Sequence, residues 1–293
     1  EEVAYLLLFG VLPTSDELGR FRELLGRNRT LPDNFTEDMI LKAPSNDIMN
    51  KLARSVLSAY SYDDAAEEIS TRNVLSQSIE LIARFPTMVA YGFQAKRHYY
   101  HNESLFIHAP DPELSTAENL LQLIRMSREY TPLEAETLAA GVGSLKGPKH
   151  GGANARVMAM MEDIQAHVED WSSEREVGEY LRRILRKETF DRTGLIYGMG
   201  HAVYTLSDPR ALLLKSKARE LAQEKEYVAE FAFYELVERL VPTIFHEEKG
   251  TDRPIAPNVD FYSGFVYKML GIPAELNTPI FAIGRVPGWC AHR

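Results

Sequence analysis

Apolar side chains recur every three or four residues along most of this chain, in segments that open with helix-capping residues. Ser or Thr followed three residues later by Glu is a capping-box pattern, and it occurs at 14–17, 115–118 and 173–176. The residues after each pattern place their apolar side chains on one face of a helix. No segment shows the alternation of β-branched residues that predicts a strand. The pattern therefore predicts an all-α fold.

Other helices are expected where the same periodicity recurs. Pro132 stands at the first position of one helix, behind the capping residue Thr131. Pro86 is expected to kink or end a helix that begins near residue 74, because proline cannot donate the internal hydrogen bond. The polar stretch 99–115 predicts a long surface loop. Further helices are predicted over 48–61, 74–93, 209–224 and 228–240, after Asn154, and between Asp260, which precedes the helix, and Gly271, which closes it.

Composition and charge narrow the classes of protein. The 293 residues carry a net charge of −9, which argues against a nucleic-acid partner. No apolar run approaches the roughly 20 residues that span a bilayer, so no membrane partner is expected. Cys290 is the single cysteine, so no intrachain disulfide can form, and its simplest role is that of a small buried hydrophobe. We expect a cytoplasmic protein. The chain begins without Met inside a helical pattern, so we expect residues ahead of Glu1.

Three glycine-rich polar stretches stand apart from the helices, and the first is 147–154. His150 lies at or just before a predicted helix. Free N–H groups at a helix N-terminus disfavour a charged imidazole, so the ring would stay neutral and able to donate a hydrogen bond. The small residues that follow leave room for a ligand to approach. A turn in which His150 caps or packs is the alternative.

The second stretch, 198–210, places His201 behind two glycines whose backbone is open to a ligand. Asp208 is a good N-cap, so Arg210 lies in the first turn of the next helix. A cation there opposes the helix dipole and therefore predicts an acidic partner, either a side chain or a substrate carboxylate. As a phosphate-binding pattern the stretch is weak, because no strand precedes it.

The third stretch, 257–264, contains Asp260 among aromatic residues. A carboxylate base held against an aromatic wall would have its basicity tuned by partial desolvation. The alternative is that Asp260 simply caps the helix that follows.

Two histidines, one aspartate and nearby arginines are compatible with two kinds of site. One is a general acid–base site that acts on a carboxylate-bearing substrate, and the other is a metal site of two histidines and one carboxylate. No spacing places paired ligands on one helix face, which favours the acid–base site and no metal. Ser263 and Cys290 lie in no nucleophile motif.

The three stretches resemble, in order, the signature regions of the citrate synthase family. They read GPKHGGAN at 147–154, GMGHAVYTLSDPR at 198–210 and PNVDFYSG at 257–264. Segments 1–14 and 281–289 are similar to the family as well. In detail the chain is most similar to bacterial citrate and 2-methylcitrate synthases.

The resemblance implies a two-domain, all-helical homodimer with its active site in the cleft between the domains. Residues 1–151 would begin the large domain, 152–263 would form the small domain, and 264–293 would return to the large one. The reaction would condense acetyl-CoA, the co-substrate, with oxaloacetate and then hydrolyse the thioester, without a permanently bound cofactor. Sequence does not distinguish acetyl-CoA from propionyl-CoA, because one methylene changes binding by only about 1–3 kcal/mol.

The resemblance also implies a role for each site residue. Asp260 would remove a methyl proton from acetyl-CoA, His150 would hydrogen-bond the thioester oxygen, and His201 would polarise the oxaloacetate carbonyl. Arg210 and Arg285 would hold substrate carboxylates. The residues that would face CoA are Lys149, Gly198, Met199, Gly200 and Asn258.

The chain departs from the family ahead of GPKHGGAN. Residues 131–138 run directly into 139–145, where the family carries a few dozen further residues, including a histidine that contacts oxaloacetate. The family's C-terminal segment, which lends an arginine to the partner subunit, would lie beyond Arg293. Three explanations stay open: segments omitted from the sequence, a paralogue that binds CoA or a dicarboxylate without turnover, and a weak enzyme with altered substrate choice.

Overall fold

The described part of the protein consists mainly of α-helices joined by loops. The computed structural model describes residues 1–144, 153–200, 208–250 and 254–292. Within those ranges there is no strand, only an isolated antiparallel bridge between Met199 and Pro257. The helices are α1 (Glu2–Phe9), α2 (Ser15–Arg27), α3 (Ile48–Ala59), α4 (Thr71–His101), α5 (Thr116–Ile124), α6 (Pro132–Ser144), α7 (Ala153–His167), α8 (Glu174–Leu185), α9 (Pro209–Glu224), α10 (Val228–Lys249), α11 (Asp260–Met269) and α12 (Asn277–Ala291).

Two compact units share the chain. The first comprises Glu1–Ala135 and Thr278–Arg293, and the second comprises Glu136–Asn277. The boundaries implied by the family resemblance, at 151 and 263, stay a prediction. No described helix is long and apolar enough to cross a membrane.

The first unit is built around α4, which packs against α2, α3 and α5. Buried cations satisfy backbone carbonyls in this unit. Arg29 donates to the carbonyl oxygen of Asp111 at 2.7 Å, and Lys51 donates to those of Met39 and Ala43. Gly26 on α2 lies so close to Pro112 that an added Cβ would approach its carbonyl oxygen to 2.2 Å. These contacts hold the loop after α4 and the short π-helical segment 36–41 against the core.

The second unit is built around α11, which packs between α7 and α9, while α8 packs against α10. Almost every residue of α11 is buried. Aromatic rings from α10 and α11 stack in its core, with Tyr234 and Phe265 at a centroid distance of 4.6 Å. Buried area of this kind supplies most of the stability of such a unit, because each large side chain contributes about 1.5–3 kcal/mol.

The predicted helices and caps are largely confirmed. Thr14 with Glu17 and Ser115 with Glu118 form complete capping boxes, and Ser173 accepts from the backbone N–H of its Glu. The predicted loop is confirmed over 102–115.

The ends of several helices differ from the prediction. Pro86 lies inside α4, which continues to His101, because packing on three neighbouring helices outweighs one lost hydrogen bond. In the same way α10 passes Pro242 and ends at Lys249. The helix α12 was not predicted.

Candidate active site

Two of the three glycine-rich stretches are paired through their backbones. The N–H of Gly200 donates to the carbonyl oxygen of Ala256 at 2.7 Å, and the N–H of Asn258 donates to that of Gly198 at 2.9 Å. These two bonds flank the antiparallel bridge at Met199. Segments that are far apart in sequence are therefore fixed side by side, as the family resemblance requires of a shared site.

The side chain of Asn258 completes this connection. Its Nδ2 donates to the carbonyl oxygen of Gly200 at 2.9 Å, and its Oδ1 accepts from the backbone N–H of Asp260 at 3.0 Å. One amide thus links the glycine loop to the first turn of α11. The spacing Asn-x-Asp in the third stretch is the sequence signal for this link, because an Asx side chain readily accepts from the backbone two residues on.

Gly198 has a conformation and surroundings that exclude any side chain. Its φ is +78°, in the left-handed region that favours glycine. An added Cβ would lie 2.8 Å from Cγ2 of Val157 and 2.9 Å from Cα of Phe261. The loop therefore sits directly on α7 and on the residue that follows Asp260.

Asp260 occupies the first position of α11 and is only 2% exposed. The residue at the cap position is Val259, which makes no side-chain cap, so the alternative in which Asp260 merely caps the helix is wrong. The positive end of the helix dipole stabilises negative charge at this position. Asp260 thus lies buried at a helix N-terminus beside the glycine loop, which suits a carboxylate that must take up a proton from a carbon acid.

Tyr267 lies seven residues after Asp260, on the same face of α11, and the sequence analysis did not single it out. Burial raises the pKa of the Tyr267 hydroxyl, and the negative charge of Asp260 raises it further. The phenol therefore keeps its proton. An added Cβ on Gly141 of α6 would lie 3.6 Å from this hydroxyl, so Tyr267 extends from α11 towards that helix. The i, i+7 spacing was the available sequence signal.

Arg210 has the acidic partner that its position predicted. Its Nε and Nη2 donate to the two carboxylate oxygens of Asp208 at 2.9 and 2.7 Å, and its backbone N–H donates to Asp208 as well. Asp208 is the N-cap of α9, as predicted. A bidentate carboxylate contact fixes the plane of the guanidinium, so Arg210 is oriented within the first turn of α9.

A cavity of about 710 Å³ in the second unit adjoins these elements. Asp208 on one side and the extended residues Ile255, Ala256 and Pro257 on the other belong to its lining. Both polar and apolar side chains contribute to its walls. The cavity therefore brings the start of α9 close to the segment that pairs with the glycine loop.

Four further site residues were predicted: Arg285, Lys149, His150 and His201. Arg285 lies on α12 in the first unit, where it is partly exposed. Lys149, His150 and His201 lie outside the described residues. Among the described residues no group of three His, Cys, Asp or Glu could hold a metal ion, and the metal alternative depends on the two undescribed histidines.

Comparisons with known proteins cover the whole chain. A family model described as "Citrate synthase, C-terminal domain" matches residues 1–139 and 135–293. The chain is 31% identical over 329 residues to citrate synthase of Haloferax volcanii, covering all of this chain and 80% of that protein. It is 33% identical over 335 residues to citrate synthase of Acidithiobacillus ferridurans, with the same two coverages.

A solved structure agrees with the sequence relatives. The crystal structure of citrate synthase from Pyrobaculum aerophilum matches with a TM-score of 0.77 and 27% identity, covering 99% of this chain and 77% of that one. The all-α fold and these relatives place the chain in the class of acyltransferases. The chain belongs to the citrate synthase family. Members of this family condense acetyl-CoA with oxaloacetate to form citrate and CoA.

The comparisons also bear on the missing segment. The two stretches of the family match meet at residues 135–139, where the sequence analysis places the absent residues. The alignment with the Haloferax protein, at 329 residues, is longer than this chain of 293, so it includes positions at which this chain has no residue.

Proposed function

We propose that this chain performs the citrate synthase reaction with Asp260 as the base and His150 and His201 as hydrogen-bond donors. Arg210 and Arg285 are the proposed cations for substrate carboxylates. Acetyl-CoA is the proposed first substrate, with propionyl-CoA as the homologue to be compared. The proposed CoA-facing residues are Lys149, Gly198, Met199, Gly200 and Asn258.

The first step is enolisation. The carboxylate of Asp260 takes a proton from the methyl group of acetyl-CoA while His150 donates a hydrogen bond to the thioester oxygen, on which negative charge develops. A weak carbon acid requires a base and an oxyanion donor at once, because neither alone lowers the barrier enough. Burial of Asp260 supports this role, since water does not compete for the carboxylate.

Condensation and hydrolysis follow. The enol carbon forms a bond to the carbonyl carbon of oxaloacetate, and His201 protonates the carbonyl oxygen as it becomes an alkoxide. Arg210 is suited to a substrate carboxylate because its guanidinium is already oriented by Asp208. Water then attacks the thioester carbon of citryl-CoA, and the C–S bond breaks to release citrate and CoA thiol.

One observation carries the proposal: Asn258 links the glycine loop to the buried Asp260 through its two side-chain hydrogen bonds. A loop of accessible backbone beside a desolvated carboxylate suits the approach of a thioester to a base.

The test is release of CoA thiol from acetyl-CoA, followed with a thiol reagent, with and without oxaloacetate. We expect release that requires oxaloacetate and that falls by at least about 10²-fold in Asp260→Asn, which keeps the shape of the side chain but removes the base. The exposed Asp170→Asn is the matched control and is expected to retain full activity. Equal rates in wild type and Asp260→Asn would contradict the assignment of the base.

A second candidate is a paralogue that binds CoA or a dicarboxylate without turnover. It is favoured by the division of the family match into two stretches that overlap at residues 135–139. In this region the family carries a substrate-binding histidine. Binding without turnover predicts that CoA or oxaloacetate raises the melting temperature, while no thiol is released. Oxaloacetate-dependent thiol release would exclude this candidate.

Assembly, location and cofactor content are proposed on the same basis. We propose a homodimer in the cytoplasm, without a permanently bound cofactor. Light scattering on the purified chain would test the dimer, and fractionation of cells would test the location. Full activity after treatment with a chelator is expected, and loss of activity would instead support the metal alternative.

A further inference from the structure

Three charged and polar side chains on three different helices meet beside α11. Glu238 on α10 accepts a hydrogen bond from the hydroxyl of Tyr262 on α11 and another from Nζ of Lys215 on α9, the latter at 2.7 Å. We refer to Tyr262, Glu238 and Lys215 as the Glu238 triad. Both bonds go to the same carboxylate oxygen, Oε2, so the triad joins α9 to α11 through a single atom.

Tyr262 is the buried member of the triad, while Glu238 and Lys215 are partly exposed. Tyr262 is 0% exposed, and its ring lies among those of Phe231, Tyr234 and Phe261. Burial raises the pKa of the Tyr262 hydroxyl, and the charge of Glu238 raises it further, so the hydroxyl remains a donor. A hydrogen bond to a charged carboxylate is stronger than one between two neutral groups.

The two helices that the triad joins begin with the two proposed site residues of this unit. Asp260 is the first residue of α11, two positions before Tyr262. Arg210 is the second residue of α9, about one and a half turns before Lys215. Helices are stiff over such short distances, so a shift at Tyr262 or Lys215 moves the corresponding helix start. Lys215 and Glu238 also line the cavity that Asp208, at the start of α9, and Pro257 border.

We propose that Glu238 is a positioning residue that sets the placement of the base Asp260 relative to the substrate anchor Arg210. Tyr262 transmits the position of Glu238 to α11, and Lys215 transmits it to α9. The inference rests on the function proposed above and adds to it a residue that touches no substrate. We call the hydrogen bond from Tyr262 to Glu238 the Tyr262 arm and the one from Lys215 to Glu238 the Lys215 arm. Loss of the Tyr262 arm should mainly affect proton removal by Asp260, and loss of the Lys215 arm should mainly affect the binding of oxaloacetate.

Loss of the Tyr262 arm displaces the base. Tyr262→Phe removes a single oxygen and leaves the ring in its aromatic pocket. We expect kcat to fall by about tenfold, because sub-ångström misplacement of a catalytic group is costly, while KM for oxaloacetate changes less than twofold. The isotope effect on kcat with methyl-deuterated acetyl-CoA should rise, because proton removal by Asp260 becomes more strongly rate-limiting.

Loss of the Lys215 arm displaces the anchor. Lys215→Met is expected to raise KM for oxaloacetate by about tenfold and to leave the isotope effect near that of the wild type. The control is Lys268→Met. Lys268 on α11 pairs with Glu230 on α10 at 2.7 Å and lies 5.9 Å from a tyrosine ring, the same two distances that Lys215 has to Glu238 and Tyr262.

Lys268 ties the far end of α11 to α10, away from the helix start. Its variant is therefore expected to show wild-type kcat, KM and isotope effect. The isotope effect is a ratio of two rates and does not depend on the concentration of active enzyme. A variant that is only partly folded would therefore not show the expected rise in the isotope effect. Glu238→Gln is a second test variant. It keeps the size of the side chain but removes its charge, so the hydrogen bonds from both Tyr262 and Lys215 become weaker.

The outcomes separate this inference from the proposed function. Absence of oxaloacetate-dependent thiol release in the wild type removes both. An active wild type with an unchanged isotope effect in Tyr262→Phe and in Glu238→Gln overturns the positioning role alone. If the isotope effect rises as much in Lys268→Met as in Tyr262→Phe, the positioning role is overturned too, because any loosening of α11 would then be enough to raise the isotope effect. A rise confined to Tyr262→Phe and Glu238→Gln supports the inference.

Discussion

Asn258 donates its backbone N–H to the carbonyl oxygen of Gly198 at 2.9 Å, and thereby joins two stretches that are distant in sequence. The side chain of the same residue extends the connection to Gly200 and to Asp260. Together these hydrogen bonds define where the proposed base lies relative to the proposed CoA-facing loop. Asn258 therefore combines a structural role with its proposed position at the substrate.

Replacing Asn258 by alanine should affect stability and substrate binding together. The variant loses two side-chain hydrogen bonds, so we expect the free energy of unfolding to fall by about 1–3 kcal/mol. Because the glycine loop keeps its two backbone bonds but loses its side-chain link to Asn258, KM for acetyl-CoA should rise by more than KM for oxaloacetate. Urea denaturation and steady-state kinetics measure the two effects.

Asn73→Ala is the matched control for this variant. The Asn73 side chain donates to the carbonyl oxygens of Ala65 and Glu68, both at 2.9 Å, in the first unit. It should lose stability without any change in KM for acetyl-CoA. A similar rise in KM in both variants would show that general loosening, and not the loop, is responsible.

Gly198 should tolerate no side chain, whereas Gly271 should accept alanine at modest cost. Both have positive φ, +78° and +66°, so each alanine variant carries backbone strain of about 1 kcal/mol. Only at Gly198 does the added Cβ meet other atoms, at 2.8–2.9 Å, while nothing lies within 4 Å at Gly271. We expect Gly198→Ala to be destabilised by about 1–3 kcal/mol more than Gly271→Ala, as measured by thermal unfolding. Equal losses would mean that the loop can move away from Phe261.

Much of the fold was predictable because the helix signals are local. The capping boxes at 14–17 and 115–118 need only four residues to be recognised, and both form as predicted. A shared site for Asp260 and the glycine-rich loop was implied by the family resemblance, and not by any local pattern. In contrast, α4 continues past Pro86 because tertiary packing compensates for the lost bond, and packing is not visible in a local window.

The Glu238 triad could not have been found in the sequence. Glu238 lies in an ordinary amphipathic helix, and its neighbours in sequence give no indication that a tyrosine hydroxyl from α11 reaches it. Lys215 likewise reads as a solvated charge on α9. Such contacts depend on how three helices pack, and that is decided by the sum of many apolar contacts rather than by any motif.

The pair formed by Arg125 and Glu134 should be among the costlier ion pairs to break in the first unit. Two guanidinium nitrogens donate to the two carboxylate oxygens at 2.9 and 3.1 Å, and Glu134 also accepts from the backbone N–H of Thr131 at 2.8 Å. Glu134 is 4% exposed, so the carboxylate is well shielded. We expect Glu134→Gln to lower the free energy of unfolding by about 2–3 kcal/mol.

Glu174→Gln provides the comparison. Glu174 pairs with Arg239 at 2.7 Å, but both side chains are 60% exposed, and such pairs contribute less than about 1 kcal/mol. Urea denaturation of the two variants at neutral pH should therefore give clearly different midpoints. Similar midpoints would indicate that the buried pair loses as much in desolvation as it gains in attraction.

Lys51 is expected to make the free energy of unfolding of the first unit vary with pH in the alkaline range. The side chain is 1% exposed and donates to the carbonyl oxygens of Met39 and Ala43. Burial and, to a smaller extent, the nearby charge of Arg54 together lower the pKa of Lys51 to about 8. In the unfolded chain a lysine has a pKa of about 10.4. Below pH 8 both states carry the proton, and the folded state bears the full penalty of the buried charge.

As the pH rises from 8 to 10, the folded state loses the Lys51 proton while the unfolded state keeps it, so the free energy of unfolding should increase. We expect the stability of the wild type relative to Lys51→Met to increase steadily over this range, as measured by denaturation at each pH. Lys42→Met is the control, because hydrogen bonding to Asp38 raises the pKa of Lys42, and its contribution is lost only at higher pH. A flat difference for Lys51→Met between pH 8 and 10 would show that Lys51 is hydrated well enough to stay charged.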